Sequence, residues 1–152
     1  MNTPTTEPTI ILPRQHFLLY TGFLALAAVS LYLAFVEADT AYLGYIWKYS
    51  TQYVYKMGVY AAALFIAAVF LIQSCLLLAR RRPYATIPGL FGCLILTAFS
   101  AYLLAIDPEH PIPVFVLLVP ALLLLLLSVL IWKKPSQASP QPQHPKKHNG
   151  DE

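Results

Sequence analysis

Glu37 and Asp39 follow one apolar run, and Asp107, Glu109 and His110 lie in a proline-punctuated stretch before another, so these are the residues best able to do chemistry. Carboxylate and imidazole donors of this kind can gather a divalent cation or trade protons with a substrate. Their spacing matches no metal-ligand pattern. Acids expelled from lipid would also collect in such loops, so the expected arrangement is a solvated outer face. His144 and His148, beside Lys146 and Lys147, form an imidazole pair in a segment too polar to build a pocket. No phosphate-binding glycine loop, dinucleotide fingerprint, paired-cysteine motif, nucleophile elbow or HExxH sequence occurs. The chain is therefore read as a non-enzyme, with no catalytic, cofactor-binding or metal-binding residue expected.

The elements that would position any such group are apolar to an unusual degree. The 152 residues are 58% hydrophobic and 11% charged, far from the composition of soluble domains. A helix needs about 20 mostly apolar residues to cross roughly 30 Å of hydrocarbon, and residues 17–36, 57–79, 84–106 and 112–132 each qualify. None of the four contains a charged side chain. Carriers coupled to ions, proton relays and voltage sensors need ionisable groups at depth, so these classes are disfavoured. The polar content of the spans reduces chiefly to Gln73, Ser74 and Ser100, of which Gln73 should bond across to a neighbouring helix for about 1 kcal/mol or less. Cys75 and Cys93 behave as small apolar groups at depths about 6 Å apart, a poor match for a disulfide.

Taken in order, residues 1–14 read as a flexible leader rich in Thr and Pro. The first span resembles a secretory signal only superficially, since a signal's apolar core is about 7–15 residues long; it is read as a retained helix. The segment from Tyr42 to Tyr60 holds six of the ten tyrosines. Tyr42, Tyr45, Tyr49 and Tyr53 share the spacing of one helical face, with Trp47 nearby. This segment is expected to be an interfacial aromatic helix or a long amino-terminal extension of the second span, resting at the headgroup level or docking another protein.

Arg80, Arg81, Arg82 and Pro83 make a basic hinge. Beyond it Ala85, Gly89, Cys93, Thr97, Ala101 and Ala105 recur every fourth residue, a slim ridge along which a helix could approach closely. Gly58 and Ala62 give the second span a shorter version. The fourth span is leucine-rich, should kink at Pro120 and should lie at the periphery. Residues 135–152, Pro-, Gln- and Lys-rich, read as a disordered tail.

These features predict an all-α membrane protein with four transmembrane helices in a compact bundle. Arg14, the hinge arginines, Lys133 and Lys134 would share one side, which places both termini in the cytoplasm and the bundle in a plasma membrane of the bacterial inner-membrane type. The function expected is that of a non-catalytic integral membrane subunit surrounded by lipid, assembling with itself or with other membrane protein subunits. The alternative is a carrier or pore for lipid-like or hydrophobic small molecules. No cofactor and no nucleic-acid partner is expected.

Overall fold

A computed structural model describes residues 13–82, 84–106 and 114–133. Residues 1–12 of the expected leader, the tail and the turn carrying Asp107, Glu109 and His110 lie outside the described residues, while Pro13 and Arg14 already belong to the first helix. Four helices follow one another: α1 (Pro13–Ile46), α2 (Thr51–Ala79), α3 (Thr86–Ile106) and α4 (Val114–Lys133). All four are long and apolar enough to cross a membrane.

Each helix packs against the next, and α4 returns to α1, so the bundle closes as a ring. Its centre is filled by Leu19 and Phe23 of α1, Leu64, Leu71 and Leu78 of α2, Leu96 and Leu103 of α3, and Leu117 of α4. Small residues let these side chains mesh. A Cβ added at Gly92 would lie 3.0 Å from the Ala67 carbonyl oxygen, so α3 rests almost directly on the α2 backbone there. One at Gly22 would meet the Leu124 side chain at 2.5 Å, marking where α4 closes on α1. α4 turns only one stripe inward, Leu117, Ala121, Leu124 and Ser128; most of its other leucines are exposed. The helix runs on through Pro120.

The two described turns are built alike. At the end of α1 the Lys48 and Tyr49 amides donate to the Tyr45 and Gly44 carbonyls. At the end of α2 the Arg81 and Arg82 amides donate to Leu78 and Leu77. Both are the paired backbone bonds that finish a helix through one left-handed residue. That residue is usually glycine, but here it is Lys48 with φ 55° and Arg81 with φ 50°. Ser50 then caps α2 by accepting from the Tyr53 amide at 3.3 Å.

α1 runs well past the expected end of the first span. At 34 residues it is about 51 Å long, because nothing between Val36 and Ile46 breaks a helix. The aromatic segment is consequently divided. Tyr42 and Tyr45 finish α1, Trp47 and Tyr49 lie in the turn, and Tyr53 and Tyr55 open α2. These residues form the tip of a helical hairpin rather than one continuous amphipathic face. α2 starts six residues ahead of the predicted Met57, since Ser50 supplies its cap.

Candidate functional site

At the hinge end, the polar side chains hold the helices to one another. His16 Nε2 lies 2.8 Å from the Leu78 carbonyl. A carbonyl oxygen can only accept, so Nε2 carries the proton. Ser74 Oγ donates to the Ala85 carbonyl at 2.5 Å, joining the end of α2 to the start of α3. A Cβ at Gly89 would lie 2.5 Å from Phe23 Cζ and 2.8 Å from Ser74 Oγ, so α1, α2 and α3 converge on this glycine. The hinge arginines Arg80, Arg81 and Arg82 are exposed beside it.

The ridge of α3 divides halfway along. Ala85, Gly89 and Cys93 are buried within the chain's own bundle, Thr97 is half-buried with its hydroxyl donating to the Cys93 carbonyl at 2.8 Å, and Ala101 and Ala105 are exposed. A four-residue repeat falls behind the helical turn by about 40° per step, so a stripe that faces inward at one end faces outward at the other. The buried face of α3 instead follows Gly89, Gly92, Leu96, Phe99 and Leu103. Cys75 and Cys93 are both free.

The three polar residues of the expected spans part company. Ser74 and Ser100 are fully buried, whereas Gln73 is exposed. Bonding of Gln73 to a neighbouring helix of the same chain does not occur among the described residues. The buried face of α2 passes through Leu71, Ser74, Cys75 and Leu78, and Gln73 falls between these positions on the opposite side. Gly58 and Ala62 are exposed on that same outward face, and a Cβ at Gly58 would meet nothing within 4 Å.

The burial of Glu37 is not what its place after an apolar run suggests. Expected in a solvated loop, the residue lies within α1 and is only 4% exposed. The pairings of His16 with Leu78 and of Tyr20 with Cys75 fix an antiparallel register that sets Glu37 level with Met57 and Gly58. Tyr60, one turn away, is 2% exposed and meets Phe99 edge-on with ring centroids 5.4 Å apart. Lys56 Nζ stands 5.8 Å from the centre of the Tyr60 ring. An acid, a phenol and an amine thus occupy one layer at the end of the bundle nearest the aromatic tip. The signal is present in the spacing: Phe23, Leu26, Ser30, Leu33, Glu37 and Ala41 continue one face at intervals of three and four as far as Gly44.

At the tip, Tyr42, Tyr45, Trp47 and Tyr49 are strongly exposed, and Tyr53, more shielded, stacks edge-on against Tyr49 at 5.6 Å. No group of three or more His, Cys, Asp or Glu side chains able to hold a metal occurs among the described residues. No protein-family model, curated protein or solved structure matches the chain.

Proposed function

We propose that the chain is a non-catalytic integral membrane subunit whose work is to pack against other membrane proteins. The observation that carries membrane residence is the bundle's outer surface. Phe35, Phe65, Val69, Phe91, Leu94, Leu123 and Leu126 are all exposed, and they form a girdle between the hinge arginines at one end and the aromatic tip at the other. An exposed apolar surface of that extent needs hydrocarbon around it. Aromatic residues with polar tips on one side and arginines on the other are the pattern of a bilayer's two interfaces. The excess of basic residues at the hinge end supports a cytoplasmic location for it and for both termini.

Packing rather than chemistry is supported by where the polar groups go. His16, Ser74 and Ser30 spend their hydrogen bonds on backbone carbonyls of the bundle. What remains outward for partners is the aromatic tip, the face of α2 that carries Gly58, Ala62 and Gln73, and the outer half of the α3 ridge, Ala101 and Ala105. Extraction of the full chain in mild detergent should give a species heavier than the monomer, and a reporter fused after Pro135 should score as cytoplasmic. A monomer in every detergent, or a translocated reporter, contradicts the reading.

A carrier or pore for hydrophobic molecules has one observation in its favour. The Ser100 and Ser128 hydroxyls are buried and make no hydrogen bond among the described residues. Gln73, the other polar group such a path would use, faces away from them. Reconstituted alone, a carrier moves a labelled lipid or dye across vesicles; a packing subunit does not.

A further inference from the structure

The outward face of α2 carries a polar group that only a second helix can satisfy. Gln73 is the one Asn or Gln between Met57 and Ile106, and it is exposed among the apolar side chains of Ile66, Val69 and Leu76. It makes no side-chain hydrogen bond among the described residues. Its Cα lies seven residues before Arg80, about 10 Å inward from the hinge end. Helical side chains lean toward the amino terminus of their helix, which aims this amide away from the arginines and toward the middle of the apolar girdle. Reaching the nearer water layer would require it to bend back against that direction. An amide left unbonded in hydrocarbon costs several kcal/mol.

We propose that a second copy of this chain docks along α2, with the two Gln73 side chains paired across a two-fold axis. The proposal rests on the reading of the chain as a packing subunit and names its partner. A carboxamide is its own complement, since each donates an N–H to the other's oxygen. Two copies inserted in one membrane share an orientation, so their α2 helices meet parallel, and a two-fold axis sets residue 73 opposite residue 73.

Val59, Ala62, Ile66, Val69, Gln73 and Leu76 alternate at intervals of three and four, as the outward face of any straight helix can. Two features distinguish this one. Val59 and Ile66 are β-branched residues at the seam positions equivalent to Gln73, as in two-stranded parallel seams, although only Leu76 of the alternate positions is a leucine, and one polar residue at such a position fixes the register. Ala62, with open space at Gly58 beside it, admits close approach at the other end of the seam.

The test uses the full chain in native membranes, with Cys75 and Cys93 replaced by Ala. Single cysteines are introduced by Ile66→Cys and Val69→Cys on α2, by Leu94→Cys and Ala101→Cys on α3, and by Leu123→Cys on α4, then oxidised. A covalent dimer is expected from the α2 positions and not from the others. In mild detergent, Gln73→Leu should weaken dimerisation roughly fivefold, with an unfolding midpoint no lower than that of the unsubstituted chain. Self-linking through α3 or α4 alone overturns the α2 seam and leaves the subunit reading standing. Dimerisation unchanged by Gln73→Leu overturns the amide pairing. A chain that links to nothing and runs as a monomer throughout overturns both readings, and capture of a different protein at residue 69 without self-linking overturns the second-copy proposal.

Discussion

Gly89 of α3 lies against Phe23 of α1, so closely that a single added methyl group would sit 2.5 Å from Phe23 Cζ. This contact crosses the ring of helices and is possible only because position 89 has no side chain. Gly89→Ala should therefore destabilise the bundle by about 1–3 kcal/mol, the usual cost of overpacking. The loss should shrink in a Phe23→Leu background, where the ring is gone. Gly58→Ala is the control: with open space around the site, alanine's better helix propensity should raise stability by up to about 1 kcal/mol. Unfolding in a graded mixture of mild and denaturing detergents reads all three.

The same contact changes how assembly has to be tested. A bulky residue at 89 would disrupt the monomer itself, so any loss of oligomers would be ambiguous. Ala101→Leu carries no such ambiguity, because residue 101 is exposed. It should leave the unfolding midpoint within about 0.5 kcal/mol of the parent. If the outer half of the α3 ridge binds a partner, the complex recovered from native membranes should shrink at the same time.

Four helices were legible because hydrocarbon demands long uncharged runs, and the ends of α2 and α3 fall close to the basic hinge that was expected to separate them. The far end of α1 was not legible for the complementary reason. Glu37 and Asp39 look like charges that end the span, yet a carboxylate can remain in a helix where the bundle's own side chains surround it, as they do Glu37. Gln73 was hidden for a different reason. α2 is apolar nearly all the way round, so periodicity hardly distinguished its inner face from its outer one, and the difference between residues 73 and 74 decided which polar group was buried. The α3 ridge looks continuous in the sequence because every fourth residue is small, but the 40° lag per step turns Ala101 and Ala105 outward.

Helix α1 ends through a lysine in a backbone conformation that suits glycine. Lys48 has φ 55°, where a Cβ crowds the following carbonyl at a cost of roughly 1–2 kcal/mol. Lys48→Gly should therefore raise stability by about 1 kcal/mol, while Lys48→Ala, which keeps the Cβ, should not. Comparing the two substitutions by detergent unfolding separates backbone relief from loss of the charge.

The layer of Glu37, Lys56 and Tyr60 predicts a charge reversal. In the register fixed at the hinge end, Lys56 stands within one turn of the level of Glu37, and both belong to the half of the hairpin nearest the aromatic tip. Lys56→Glu would bring two carboxylates together where Glu37 is shielded from water, and should cost roughly 1–3 kcal/mol. Exchanging the pair, with Glu37→Lys and Lys56→Glu combined, should recover a good part of that loss. Lys56→Gln should fall between the parent and Lys56→Glu, because it removes the favourable charge without adding an unfavourable one. If all three variants unfold together with the parent, Glu37 is held by groups other than those of this layer, and the antiparallel register drawn from His16 and Tyr20 does not extend to the far end of the hairpin.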